Sequence, residues 1–380
     1  MVTALRIRGP FRGSSGYDHK VRELSRILVR RGVRVQLIDM PGWSSLRLTD
    51  GDRERFFETL TRPIDAPITV HCTMPDQVVI DHPSVQVNFT VFEANRIPRK
   101  WVELARDHAL VIVPTESSRQ AWIASGVPER QLRVCPQGVD PEIYGPDVRP
   151  LRLFTETGRS IQSFTTRFLN VSELGPRKNL AGLLRAWLLA TRRDDDAILI
   201  LKLGQSGLAD PTDFTRKIRE IEHETGKSFS HAAPVEMMLE VLGDRAMPRL
   251  YALATHYISM SHGEGWDHPM VESGASGLHL IAPDHSAYRA YLTPEIATLL
   301  PSRIVPASFE GSPGLQDLFE GADWWEPDQE AAVAAIRYAI DHPQQGPSPA
   351  QELLRTRFTW DHAADRFLSI LDELSVAARH

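Results

Sequence analysis

The sequence predicts an α/β protein made of two parallel-sheet domains, and three observations carry that prediction. The chain of 380 residues exceeds the roughly 250 to 300 residues at which single hydrophobic cores stop growing. Short β-rich apolar runs alternate with amphipathic helical stretches, the pattern of consecutive βαβ units. The alternation restarts midway, after a proline- and charge-rich stretch at 141–158 that reads as an interdomain linker. An apolar fraction of 42% and a charged fraction of 24% are ordinary for a globular chain, and a formal net charge of -6 argues against nucleic acid as a partner. Cys72 and Cys135 lack metal-ligand spacing and sit in strand-like runs, so they read as core thiols. No apolar run approaches the roughly 20 residues of a membrane span, and no signal peptide opens the chain, so a cytoplasmic location is expected.

In chain order, the first strand at 4–8 enters a loop rich in glycine and serine at 9–16, ahead of a helix predicted over 17–31. Val21, Leu24, Ile27 and Leu28 share one face of that helix, and Gly32 stops it before a second strand at 33–38. The glycine spacing does not match a dinucleotide fingerprint. That leaves an anion or acceptor loop, or a structural turn in which Ser14 or Ser15 caps the helix. Opposite the apolar face, Lys20, Arg22, Arg26, Arg30 and Arg31 form a stripe broken by Glu23. Such a stripe is either solvated or makes peripheral contact with anionic lipid. Further strands are predicted at 68–71, 85–91, 109–113 and 132–135. Ligands of open parallel sheets sit beyond the carboxyl ends of the strands, where His71, Glu93, Thr115 and Asp140 fall.

The second half starts with a strand at 168–171 and a loop ending in Arg177, Lys178 and Asn179. Asn179 is a natural N-cap for a helix carrying Leu180, Leu183, Leu184, Trp187 and Leu188 on one face. Two cations beside free helix amides suit a diphosphate. A strand at 197–203 and a charged helix at 213–225 follow, then a run at 235–239 whose Met237 and Met238 are expected in the core. Asp194 to Asp196 reads as a solvated turn rather than a metal-binding Asp-x-Asp motif. After an apolar run at 256–260 comes a loop with Gly263 and Gly265, a helix predicted over 270–276 with Pro269 in its first turn, and Gly277 closing it. Glu264 and Glu272 bracket that turn. Carboxylates beside free helix amides would fit sugar hydroxyls next to a phosphate. Near the end, Thr359 is placed to cap a last helix carrying Ala363, Phe367, Leu371 and Leu374.

The Glu-Gly-aromatic-x-x-Pro-x-x-Glu pattern from Glu264 to Glu272 resembles the signature of the retaining glycosyltransferases of family 4. The order of motifs agrees over nearly the whole chain: glycine-rich loop, Gly138-Val139-Asp140, Arg177-Lys178-Asn179, then Glu264 to Glu272. The resemblance implies the GT-B fold, with two Rossmann-like domains facing a central cleft. An acceptor domain at 1–150 would be joined by the last helix at 359–380, crossing back, and a donor domain would span 151–358, with hinges at those two crossings. It implies a metal-independent transferase that moves a hexose-like unit from a nucleotide diphosphate sugar to a glycan, lipid-linked or small-molecule acceptor, with no other cofactor. Arg177 and Lys178 would stabilise the leaving diphosphate, and Glu264 would act on the sugar. Gly16, Asn179, Gly265, Trp266, Asp267, His268 and Glu272 would bind the donor, while Ser15, His71 and Glu93 are acceptor-side candidates. In relatives the backbone near Met237 lies by the nucleotide base. Glu93 stands where the family has a histidine, and Asp267 and His268 replace smaller or apolar residues. Two other readings share the resemblance: a nucleotide-sugar epimerase, and a catalytically silent nucleotide-sugar-binding protein.

Overall fold

The computed structural model describes residues 2–43, 51–80, 83–204, 211–309 and 313–377. The chain forms two compact units, Met1–Gly138 with Gly314–Asp323 and Arg357–His380, and Val139–Pro313 with Trp324–Thr356. It passes from one unit to the other after Gly138, Pro313, Asp323 and Thr356, where the motif order implied two crossings.

The first unit holds a six-stranded parallel sheet of β1 (Ala4–Arg8), β2 (Arg34–Ile38), β3 (Ile68–His71), β4 (Val85–Phe89), β5 (Leu110–Val113) and β6 (Leu132–Val134), in the order β2-β1-β3-β4-β5-β6. β5 is a short, wholly buried Leu-Val-Ile-Val run, as a strand covered on both faces should be. Helix Gly16–Arg30 lays Val21, Leu24, Ile27 and Leu28 into this core, and helix Trp360–Ala377 adds Phe367, Ile370 and Leu371. Phe367 stacks on Phe89 at 6.0 Å. The start of this last helix presses on the chain end of the sheet so closely that a Cβ on Gly138 would lie 2.2 Å from the amide nitrogen of Trp360. Only glycine fits there, which is a physical reason for glycine in the Gly138-Val139-Asp140 motif. Segment Gly314–Asp323 joins the same unit through Phe319, stacked on Phe92 at 4.7 Å, and through paired hydrogen bonds between Asp323 and Asn95.

The expected basic stripe on the first helix is corrected by this packing. Lys20 and Arg22 are buried, with Lys20 Nζ donating to the Phe89 carbonyl at 2.8 Å and Arg22 Nη1 to the carbonyls of Phe11 and Gly13. Arg26 pairs with Glu23, and Arg30 and Arg31 pair with Asp361 and Asp365 of the last helix. The stripe is therefore not one continuous solvated face: Lys20 and Arg22 are buried, while Arg30 and Arg31 stay exposed and paired with the last helix. No helix among the described residues is long and apolar enough to cross a membrane.

The second unit holds β7 (Thr166–Glu173), β8 (Ala197–Gly204), β9 (Val235–Met238), β10 (His256–Ile258), β11 (His279–Pro283) and β12 (Thr298–Leu300), in the order β12-β11-β10-β7-β8-β9, together with the two-stranded β13 (Ser302–Pro306) and β14 (Asp323–Pro327). Every ladder recorded within the six-stranded sheet is parallel. Its core gathers Phe168, Trp187, β8 and Ile258. The stretch expected as a linker belongs to this unit: Leu151 N donates to Arg249 O, Phe154 bridges Ser160, and Tyr144 packs on Tyr251. Met237 is 47% exposed rather than in the core, because β9 is the sheet's edge strand.

Candidate active site

The site in the second unit is made where the loops leaving β7 and β10 meet. After β7, Gly175 is extended and Pro176–Lys178 makes one 3-10 turn, which ends with Asn179 in the left-handed region (φ 48). Asn179 caps helix Leu180–Ala190 by accepting a hydrogen bond from Gly182 N at 3.0 Å, as its position predicts. This turn projects Arg177 and Lys178 together. After β10, the loop 261–267 runs into helix His268–Ala275, with Asp267 also left-handed (φ 66) and Gly277 (φ 96) closing the helix.

Stitching between the loops fixes their register. His262 N donates to Arg177 O at 2.8 Å, Ser261 Oγ donates to Arg177 O at 3.2 Å, and Arg177 Nη1 donates to Gly263 O at 2.7 Å. Glu264 lies between the two cations, with Lys178 Nζ 2.6 Å from Oε1 and Arg177 Nη1 3.1 Å from Oε2. The Glu264 side chain is 6% exposed, against 20% for Arg177 and 17% for Lys178. Burial would raise its carboxyl, but the positive charges of Lys178 and Arg177 outweigh burial and hold it well below the usual carboxylate range. The neighbouring Asp267 goes the other way, pushed up by burial and then by the negative charge of Glu264. Its Oδ2 accepts from Tyr288 Oη at 2.8 Å, while Oδ1 has no hydrogen-bond partner among the described residues.

Gly265, Trp266 and His268 are buried alongside, and Tyr291 Oη donates to Trp266 O at 2.8 Å. Glu272, in the first turns of the helix, accepts from Tyr251 Oη at 2.8 Å. Among the described residues no group of three or more His, Cys, Asp and Glu side chains is arranged to hold a metal ion.

The second unit thus assembles Arg177, Lys178, Asn179, Glu264, Gly265, Trp266, Asp267, His268 and Glu272. Gly16, Ser15, His71 and Glu93 belong to the first unit. Ser15 is the N-cap of helix Gly16–Arg30 in a reciprocal capping box with Asp18, and also accepts from Trp43 Nε1 at 3.1 Å. His71 is fully buried, its Nε2 2.7 Å from Gln86 Oε1. Glu93 is half-buried, and its charge acts on Tyr17.

Sequence reasoning missed His262, Glu326, Tyr251 and Tyr288. His262 Nε2 lies 2.7 Å from Glu326 Oε2 and Nδ1 lies 3.1 Å from Pro176 O. Two signals were available: His262 stands two residues before Glu264, and the aromatic pair Trp324-Trp325 precedes Glu326. Trp324 stacks on His262 at 4.5 Å and Trp325 on His285 at 5.1 Å.

No protein-family profile and no curated protein sequence matches the chain. Solved structures do. The Anabaena HepE protein in complex with UDP and glucose superposes with a TM-score of 0.66 at 14% identity, covering 98% of this chain and 100% of that one. Sucrose-phosphate synthase from Thermosynechococcus elongatus gives 0.64 at 13% identity, covering 99% and 100%. An α,α-trehalose 6-phosphate synthase from Burkholderia multivorans gives 0.62 at 12%, covering 100% of both. The fold is GT-B, with its two Rossmann-like units.

Proposed function

We propose that this GT-B chain is a retaining glycosyltransferase that moves a hexose-like unit from a nucleotide diphosphate sugar to a glycan, lipid-linked or small-molecule acceptor. The observation that carries the reading is the Glu264 carboxylate held between Lys178 and Arg177, at the mouth of a glycine loop that opens into a helix. Fixed cations beside a helix start are what a departing diphosphate needs, since they act where negative charge develops. The Anabaena structure with UDP and glucose, and the synthases of similar fold, support a nucleotide sugar as the donor.

In this reading the bond from the anomeric carbon to the phosphate oxygen breaks while Arg177 and Lys178 take up the charge released. The acceptor oxygen bonds to the same face of the sugar, and its proton passes to the departing phosphate oxygen. Glu264 acts as a hydrogen-bond acceptor for a sugar hydroxyl, its charge already balanced by the cations, rather than as a nucleophile. Glu272 takes the ribose hydroxyls, and the backbone from Gly265 to His268 offers amides to the sugar. Because the two cations do the work a divalent ion does elsewhere, turnover is expected to be metal-independent.

The test is incubation with UDP-, GDP-, ADP- and dTDP-hexoses, following nucleoside diphosphate release. Slow hydrolysis of one donor, lost in Arg177→Ala, is the expected result. Binding without release in the presence of acceptors would favour a silent sensor, and a changed sugar epimer would favour an epimerase.

A further inference from the structure

The turn that carries Arg177 and Lys178 has few holders of its own. It is a single 3-10 turn between an extended glycine and a left-handed asparagine. Two successive carbonyls of that turn are gripped by one residue of the other loop: His262 N reaches Arg177 O at 2.8 Å and His262 Nδ1 lies 3.1 Å from Pro176 O. The other ring nitrogen, Nε2, lies 2.7 Å from Glu326 Oε2, and the ring stacks on Trp324 at 4.5 Å. A peptide carbonyl can only accept a hydrogen bond, and so can an ionised carboxylate. A neutral imidazole carries one N–H and could serve only one of them. The imidazolium serves both.

We infer that His262 is a positioning residue whose imidazolium, protonated on both ring nitrogens, ties the Arg177–Lys178 turn to Glu326 on β14. Glu326 is held below the ordinary carboxylate range although burial alone would raise it, with His262, Arg303 on β13 and the Asn179 side chain bringing it down. From the segment after β11, His285 is pushed down to about 4, by burial first and with His262 among the groups disfavouring its charge. Arg177 directs its guanidinium to Gly263 O and Glu264. The His262 ring thus acts through protein contacts, while Arg177 and Lys178 are left to face substrate. Its consequence for turnover rests on the transferase reading; its protonation does not.

The experiment has two arms. Long-range ¹H–¹⁵N spectra of the full chain near neutral pH, with His262→Gln to assign the signal, are expected to show protons on both nitrogens of His262. Glu326→Gln should leave the Nδ1 proton and lose the one on Nε2, because a neutral ring can then accept from the new amide. A bare ring nitrogen in the wild type overturns the inference. In the second arm, His262→Gln is expected to lower kcat for nucleoside diphosphate release on the order of 10²-fold, with KM for the donor changed only a few-fold, as misplacing a catalytic group by about 1 Å does. A kcat within twofold, in a variant whose circular dichroism matches the wild type, overturns the positioning role. If His262→Gln fails to fold, the Glu326→Gln spectrum and its kcat decide, a retained Nε2 proton being the overturning result. A wild type that releases no diphosphate from any donor overturns the transferase reading, and the spectra still decide the bridge.

Discussion

Lys178 in the second unit and Lys20 in the first show two ways of placing a cation near a strand end. Lys178 Nζ meets the Glu264 carboxylate at 2.6 Å, and its side chain keeps 17% of its surface open. Lys20 is 1% exposed and donates to a peptide oxygen, Phe89 O, with the rings of Phe89 and Tyr17 4.4 Å and 4.3 Å away. No carboxylate is paired with it among the described residues. The first arrangement leaves a charge that an incoming anion can still use. The second seals the charge inside, where desolvation penalises it. Ser15 in its capping box and His71 Nε2 on Gln86 are likewise held by protein groups. The loop ends of the second unit keep the charge of Arg177 and Lys178 balanced but partly accessible.

The largest effect that could break this contrast is on turnover. Arg177→Ala or Lys178→Ala should remove about 2 to 4 kcal/mol of transition-state stabilisation, read as a fall in kcat for donor cleavage. Turnover of either variant within twofold of wild type would erase the distinction between the two lysines.

Glu264→Gln should destabilise the fold by about 3 kcal/mol, because it leaves two cations facing a neutral amide. The folded carboxyl lies below its unfolded value of about 4.3, so its contribution is present above that pH and lost as pH falls through the folded value. Melting temperatures of wild type and variant should therefore converge on acidification; a gap that stays constant down to about pH 3 would show that the ion pairs contribute nothing. With donor present, the variant should retain weak transfer with unchanged stereochemistry, and a sugar trapped covalently on Glu264, seen by peptide mass spectrometry, would make it a nucleophile instead.

For the first unit the expectation is reversed. Lys20→Met should stabilise at neutral pH by about 1 kcal/mol or more, since a buried cation is exchanged for an apolar side chain of similar length. Burial lowers Lys20 from 10.5 to about 8, so between those values the unfolded chain binds more protons and stability rises with pH. Chemical denaturation across that window should show the rise in wild type and a flatter profile in the variant; a variant less stable than wild type at neutral pH would mean the sealed lysine is a net gain.

The smallest effect sharpens the account of the turn. Asn179→Ala should cost about 1 to 2 kcal/mol by losing the N-cap and straining a φ of 48, whereas Asn179→Gly should cost only a few tenths. Equal losses in urea melts would mean the left-handed backbone is immaterial.

How much of this was legible followed from how local the physics is. The alternation of strands and helices, Asn179 as a cap, Gly277 as a helix stop and Thr359 at the start of the last helix depend on near neighbours in the chain, and all are present. The grouping of Arg177 and Lys178 with Glu264 was suggested by motif order, and the 86-residue separation is bridged by the parallel sheet that sets β7 beside β10.

What the sequence determined by itself was the set of elements, the polarity of each helix face and the charge carried by each loop, because period, propensity and capping act within a few residues. Tertiary structure alone decided which charges stay usable. Lys20 turns in to the Phe89 carbonyl at the end of β4 and Arg22 to the carbonyls of Phe11 and Gly13, while Arg30 and Arg31 pair with the last helix. Segment Gly314–Asp323 docks into the first unit through Phe319, while the strand that follows brings Glu326 to His262. Burial and partner choice at those places depend on residues distant in sequence, and desolvation is set by whatever packs on top, which no local pattern of residues encodes.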